Sequence, residues 1–130
     1  MTDPIARIAT AAAPKPAGHY SQGTAWRDLV FVSGQLPARP DGSHLADKPF
    51  EAQARQALAN LLSILAEAGS GPEHLLRVTA YLVGVGNWPE FNRVYAEMLG
   101  EAKPARTVVP VPELHHGYLV EVEAIAVRRG

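Results

Sequence analysis

The sequence contains no cysteine among its 130 residues. This absence excludes disulfide bonds, thiolate nucleophiles and cysteine-ligated metal sites. No apolar run approaches the ~20 residues that a transmembrane helix requires. The first residues also lack the basic segment followed by an apolar segment that marks a secretory signal peptide. We therefore expect a cytoplasmic protein with no membrane partner.

The sequence also lacks an excess of charge of either sign. Its 12 basic and 13 acidic residues give a formal net charge of −1. Proteins that bind nucleic acid usually carry a basic surface that neutralises phosphates, so this composition argues against a nucleic-acid partner. The glycine-rich motifs that cradle phosphates are absent as well, and we expect no cofactor.

What the chain does contain is a globular composition, with 47% hydrophobic and 19% charged residues. A chain of this size buries roughly two-thirds of the surface that its unfolded form exposes, which is sufficient for a core without covalent crosslinks. The sequence has no internal repeat, low-complexity tract or linker. Residues 1–130 are therefore predicted to form a single domain.

Apolar periodicity predicts the element order β, β, α, β, α, β, β. The expected strands cover 5–10, 28–37, 74–84, 105–111 and 118–127, and 11–23 is expected to be loop. Helices are expected at 49–68, with Gly69 just past the end, and at 87–100, with Asn87 as N-cap.

This order favours an α/β (α+β) protein with one four- or five-stranded sheet and two helices on one face. Within the strand 74–84, we expect one face to be formed by Leu76, Val78, Ala80 and Leu82.

The last strand carries two carboxylates inside an apolar segment. Alternation puts Val120, Val122, Ala124 and Ala126 on one face, and Glu121, Glu123, Ile125 and Val127 on the other. The second face is too apolar for free solvent, yet burying an unpaired carboxylate is costly. A subunit interface with clefts satisfies both conditions, so we expect a closed oligomer whose neighbour covers this face.

Six segments, in order, carry a resemblance to a known family: AGHYSQG, VFVSGQLP, QARQALANLLSIL, FNRVYAEML, PARTVV and VEVEAIAV. Over residues 14–128 the sequence resembles the RidA/YjgF (Rid) family of imine and enamine deaminases. The resemblance implies a chorismate-mutase-like fold and a homotrimer with sites between subunits. It also implies hydrolysis of 2-imino or 2-enamino acids, such as 2-aminoacrylate, to 2-keto acids and ammonia.

The resemblance implies two catalytic residues, Arg106 and Glu121, which we expect on adjacent strands. Arg106 matches the arginine that holds the substrate carboxylate, and a guanidinium presents a fork of donors that suits this task. Glu121 matches the glutamate associated with the hydrolytic water, whose proton a carboxylate can accept. Residue type alone leaves Arg106 equally consistent with a structural ion pair. For Glu123, on the same face, an interface salt bridge is favoured.

The resemblance also implies a substrate pocket that contains Tyr20, Ser33, Gly34 and Asn92. Each of these has a structural alternative: a packed loop tyrosine for Tyr20 and a solvent-facing amide for Asn92. Gly34 would allow a ligand to approach the backbone closely. Ser33 is not interpreted as a nucleophile, because no histidine–acid pair stands at a recognisable spacing.

Two segments depart from the family pattern. The connection 95–106 is shorter, and ELHHGYL at 113–119 stands where other members have a Leu-Pro pair. Adjacent histidines such as His115 and His116 are poor co-ligands unless the chain bends, and no HExxH motif is present, so we expect no metal site. The histidines could line the cleft mouth or occupy a turn.

Three other functions stay open at this point. The chain could be an endoribonuclease, as some family members have been described. It could be a ligand-binding or chaperone-like interaction protein that uses the same cleft. It could also be a deaminase dedicated to one catabolic pathway rather than a general one.

Overall fold

The computed structural model describes residues 3–129, which form one six-stranded sheet and two α-helices. The strands are β1 (Ala6–Ile8), β2 (Gly23–Trp26), β3 (Leu29–Gln35), β4 (Leu75–Val83), β5 (Ala105–Val111) and β6 (Val120–Val127). The helices are α1 (Phe50–Glu67) and α2 (Trp88–Leu99). Short 3₁₀ turns occupy Pro72–His74, Val85–Asn87 and His115–Gly117.

The strands lie in the order β1-β2-β3-β6-β4-β5. β4 and β5 are parallel, as their connection through α2 requires, and all other neighbours are antiparallel. The last strand of the chain therefore lies inside the sheet, between the two strands that flank α1 in sequence. The expectation of one mixed sheet with two helices is confirmed, but the expected four or five strands are in fact six.

The strand that periodicity missed is β2, which falls within and just after the segment expected to be loop. Its four residues are too few for a clear alternation. It pairs with β3 across a two-residue turn, Arg27–Asp28, in which Arg27 adopts a φ of 54°. Such hairpin turns usually contain glycine or asparagine, so the sequence gives no turn signal here.

The helix-covered face of the sheet contains the core. Along β6 the alternation is as expected, with buried residues at Val120, Val122, Ala124 and Ala126. α1 packs across β3 and β6 and against α2. Its fully buried side chains include Leu58, Leu61 and Leu65, and burial of each stabilises the fold by about 1.5–3 kcal/mol.

Two irregularities in the strands change which side chains face the core. A register shift between Leu75 and Arg77 turns Leu75 inward and leaves Leu76 47% exposed. The expected inward position of Leu76 is therefore wrong. A second shift between Val32 and Gln35 turns Gln35 inward. Bulges of this kind break the two-residue period on which the sequence argument depends.

The ends of the two helices lie where the sequence predicted them, but the expected N-cap bond of α2 is not formed. Gly69 follows α1 with a φ of 82°, a conformation that suits glycine. Asn87 does occupy the N-cap position of α2, but its side chain makes no capping bond. Instead, Nδ2 donates to the carbonyl oxygen of Val83 at 2.9 Å, which ties the start of α2 to the end of β4.

The opposite face of the sheet, here called the open face, carries neither of the two helices. Its aromatic residues are partly exposed, with Trp26 at 38% and Phe31 at 43%. Within residues 3–129, neither helix combines the length and the apolar character needed to cross a membrane.

Gln53 ties α1 to the segment that precedes β6. Its side chain is fully buried, Oε1 accepts a hydrogen bond from the Leu119 amide at 2.9 Å, and Nε2 donates to the Lys48 carbonyl at 3.0 Å. Buried polar groups that lose their partners cost more free energy than the bond itself contributes.

We therefore expect Gln53→Leu to lower the free energy of unfolding by about 1–3 kcal/mol, because it leaves the partly buried Leu119 amide and the Lys48 carbonyl without their partners. The matched control is Glu67→Leu at the exposed end of the same helix, where the side chain supports no buried polar group, and there we expect a loss below about 1 kcal/mol. Chemical denaturation at pH 7 measures both values. Equal losses in the two variants would contradict this role of Gln53.

Candidate active site

Arg106 lies near the start of β5 with its side chain against α2. Its Nη1 donates to Oδ1 of Asn92 at 2.9 Å, and its Cζ lies 4.9 Å from the centre of the Tyr95 ring. The structure thus brings together two residues that were expected in the pocket. Tyr95 was not expected there, although its spacing from Asn92 places both on one side of the helix and could have indicated it.

Arg106 has no acidic partner within residues 3–129, since none of the ion pairs formed there includes it. This excludes, within the described chain, the structural ion pair that the sequence left open. By contrast, Arg93, which follows Asn92 on α2, forms ion pairs with Glu51 at 2.8 Å and with Glu97 at 3.0 Å. Arg106 is partly exposed and lines a shallow cleft, so its guanidinium keeps donors available for a ligand carboxylate.

Glu121 is half-buried on β6 and lies against the bulge of β3. A Cβ atom on residue 34 would collide with Oε2 of Glu121, so the glycine at Gly34 is what allows this carboxylate to pack there. Burial raises the pKa of Glu121 above its ordinary value of 4.5, and the Glu123 carboxylate raises it further. A carboxylate with a raised pKa is a better proton acceptor than an exposed one.

Ser33 and Tyr20 shape the loop beside this carboxylate. The Ser33 hydroxyl donates to the Ser21 carbonyl at 2.6 Å, and its backbone amide donates to the Gln22 carbonyl at 2.9 Å. The Ser33 proton is thus already used to hold the loop. Tyr20 is 51% exposed, and its hydroxyl accepts a hydrogen bond from the Ala17 amide at 3.2 Å.

Tyr20 and Gly34 line one cleft of ≈ 270 Å³, here called the histidine cleft. Its other side-chain walls include His44, His115, His116 and Tyr118. Glu121 adjoins it through Gly34. The expected pocket residues therefore fall into two groups in one chain: Arg106 with Asn92, and Tyr20, Ser33 and Gly34 with Glu121.

The expectation that Arg106 and Glu121 lie on adjacent strands is wrong, because β4 separates their strands. Arg106 is paired with Val78, which is paired with Ala124, and both partners are buried under the helices. Glu121 is paired with Tyr81 on β4. Tyr81 lies an odd number of positions after Val78 along this strand, so its side chain and that of Glu121 lie on the open face. Side chains of paired strand residues share a face of the sheet. One chain therefore presents Arg106 and Glu121 on opposite faces.

The histidines form a cluster that the sequence did not indicate. The ring centres of His115 and His116 are 3.9 Å apart, and those of His116 and His44 are 4.6 Å apart. His44 comes from a loop distant in sequence, which periodicity cannot place. Residues 3–129 contain no group of three or more histidine or acidic residues that could hold a metal ion.

Gln22 is a second residue that the sequence did not single out. It is buried, and its Oε1 accepts a hydrogen bond from the Thr10 amide at 2.7 Å, while Nε2 donates to the Pro14 carbonyl at 2.8 Å. These bonds fix the segment that forms one wall of the histidine cleft. A glutamine in a loop carries no sequence signal that separates this role from solvent exposure.

Comparison with known proteins identifies the family. The family model described as Endoribonuclease L-PSP matches residues 10–128, and the chain is 40% identical over 119 residues to a RutC family protein of Pyrococcus horikoshii. That alignment covers 92% of this chain and 94% of the relative. The chain belongs to the RidA/YjgF family.

Solved structures of this family confirm the fold. The YjgF gene product of E. coli superposes with a TM-score of 0.89 at 34% identity, covering 95% of this chain and 99% of that protein. E. coli TdcF with bound serine superposes with a TM-score of 0.90 at 32% identity, with the same coverage. The RidA/YjgF sheet with two helices is therefore shown for this chain, while its trimeric state stays a prediction.

The two carboxylates on the open face give a titration test. We expect Glu123→Gln to lower the pKa of Glu121, because it removes a like charge that disfavours the ionised form. Carboxyl-carbon NMR titration of Glu121 measures the shift. The control Glu67→Gln, at the end of α1, should leave that pKa unchanged. A pKa of Glu121 that stays constant or rises in the Glu123 variant would show that the two charges are not coupled.

Proposed function

We propose that this protein hydrolyses reactive 2-imino and 2-enamino acids, such as 2-aminoacrylate, to 2-keto acids and ammonia. The observation that carries the proposal is the state of Arg106: it is partly exposed, it bonds Asn92, and no carboxylate of residues 3–129 pairs with it. An arginine in this state is suited to a carboxylate supplied by a ligand. The serine bound to E. coli TdcF is a small molecule with such a group.

Arg106 would hold the α-carboxylate of the substrate through two parallel hydrogen bonds. Asn92 accepts one guanidinium proton and so fixes the orientation of the fork. The Tyr95 ring beneath the guanidinium adds a cation–π contact. Arg106 thereby selects 2-imino acids over imines without an acidic group.

Glu121 would act on the water. Water attacks the carbon of the protonated imine, Glu121 accepts a proton from that water, and the C=N bond becomes the C–N single bond of a carbinolamine. Glu121 then returns this proton to the amino nitrogen. The C–N bond breaks as ammonia leaves, and the hydroxyl proton passes to the Glu121 carboxylate and on to the ammonia as the C=O bond of the 2-keto acid forms. The raised pKa of Glu121 suits it both to accept that proton and to return it to the leaving nitrogen. This sequence balances without a cofactor.

The site would form between subunits of a homotrimer. Arg106 and Glu121 lie on opposite faces of one sheet, so they can act on one substrate only if they come from two chains. The open face, with Trp26 and Phe31 partly exposed, is the surface that a neighbour would cover. Arg106 and Asn92 of one subunit would then face Glu121, Gly34 and Tyr20 of the next.

Two alternative functions, an endoribonuclease and a ligand-binding protein, are each supported by one observation. The description of the matching family model names an endoribonuclease, and the bound serine of TdcF fits a binding protein equally well. Nuclease activity that survives purification and depends on Arg106 would favour the first. Tight binding of a 2-keto acid without turnover of any imine would favour the second.

The cytoplasmic location stays a prediction from the sequence.

A coupled deamination assay tests the proposal. An amino-acid oxidase or dehydratase generates the imine, semicarbazide traps what remains, and the enzyme lowers semicarbazone formation. We expect Arg106→Lys to lower kcat/KM about 100-fold, because an ammonium cannot replace the fork, and Glu121→Gln to lower kcat about 10²–10⁴-fold.

The matched control is Arg93→Lys, one residue from Asn92, where the arginine is already engaged by glutamates and we expect no change. Full deamination by an Arg106→Ala variant would contradict the proposed role of this residue.

A further inference from the structure

The histidine cleft has an unusual balance of charge. The titratable side chains that line it are Lys15, Tyr20, His44, His115, His116 and Tyr118. Among the described residues, none of the 15 that line it is an aspartate or glutamate, although the chain has 13 acidic residues. Glu121 borders the cleft only behind Gly34. The cleft walls thus offer hydrogen-bond donors and the Lys15 ammonium, with no carboxylate among the lining residues.

A buried phenol holds one imidazole in place at this wall. Tyr118 is fully buried, and its hydroxyl is hydrogen-bonded to Nδ1 of His44. When the Tyr118 hydroxyl donates this hydrogen bond to Nδ1, the one ring proton of the neutral imidazole lies on Nε2. His44 then presents an N–H donor on its free side.

The neighbouring turn holds the other two imidazoles beside His44. His116 adopts a φ of 60° and Gly117 a φ of 75°, so the backbone reverses sharply here and brings the adjacent rings to one side. Desolvation, followed by the neighbouring His115 and His44 rings, lowers the pKa of His116 below its ordinary value. An anion bound beside His116 would favour the protonated form of its ring.

We propose that His44, His115 and His116, together with Lys15, form a second anion-binding subsite that receives the side-chain carboxylate of a 2-imino dicarboxylic acid. This inference rests on the proposed function, in which Arg106 holds the α-carboxylate. The subsite lies in the same cleft as Tyr20 and Gly34, beside the proposed catalytic carboxylate. The preferred substrate of this protein therefore carries two carboxylates.

The matched pair of imines derived from glutamate and glutamine tests the subsite, because the two differ only in a side-chain carboxylate against an amide. We expect kcat/KM for the acidic imine to exceed that for the amide by about tenfold, as bonds to a charged acceptor warrant. His116→Asn removes the imidazole and keeps a residue type that tolerates positive φ. It should reduce this ratio toward one, and Lys15→Gln should reduce it partly.

His74→Asn is the matched control, since His74 does not line the cleft and the ratio should stay at its wild-type value. Because a bound anion favours the protonated form of His116, the ratio should also grow as the pH falls from 8 to 6. Equal kcat/KM for the two imines, or an equal loss for both in His116→Asn, would overturn the proposal and leave the cluster a structural one.

Direct binding separates failure of the subsite from failure of the deaminase. Calorimetry compares 2-oxoglutarate with its side-chain amide, on wild-type protein and on His116→Asn. If no imine is turned over but 2-oxoglutarate still binds about tenfold more tightly in a His116-dependent way, the deaminase proposal fails and the subsite stands. If the keto acid and its amide bind equally, the subsite is overturned whatever the activity.

Discussion

The alternation of inward and outward side chains along β6 is the constraint on which the rest of the structure depends. This strand pairs with both β3 and β4, so its inward residues must be small and apolar enough for the helices to pack on them. Its outward residues are free of that demand, and two of them are glutamates. The same alternation, carried across β4 to β5, assigns Arg106 to the helix side. Folding of one chain therefore keeps the two principal charges of the candidate site apart.

The groups proposed for function are those that the fold leaves incompletely satisfied. Within residues 3–129, Arg106 bonds one amide and no carboxylate, and Glu121 is half-buried beside a like charge. The hydroxyl of Tyr95, whose ring lies against Arg106, is buried and has no partner among the same residues. Each arrangement costs stability in the isolated chain. The scaffold glutamines show the opposite pattern, since Gln22 and Gln53 have donors and acceptors bonded to backbone. The polar groups that hold the scaffold are thus satisfied within the chain, whereas Arg106 and Glu121 are not.

Sequence reasoning predicted the helices, most strands and the family, because apolar periodicity and motif order are local properties. It missed β2, which is too short to show a period, and misplaced Leu76, because a bulge interrupts the alternation. It identified Arg106 and Asn92 together, yet it placed Arg106 and Glu121 on adjacent strands. Sheet order is set by long-range pairing, which one strand's sequence does not encode. His44 joined the cleft for the same reason, through a contact 74 residues away in the chain.

The proposed division of the site between two chains is most directly tested with mixed oligomers of Arg106→Ala and Glu121→Gln. Each variant alone should be inactive. After the two are unfolded and refolded together in equal amounts, a trimer with shared sites should regain about a quarter of the wild-type activity, because that fraction of interfaces joins an intact Arg106 to an intact Glu121. Native mass spectrometry establishes that mixed trimers have formed. Mixed trimers that remain as inactive as either parent would contradict a site built from two subunits.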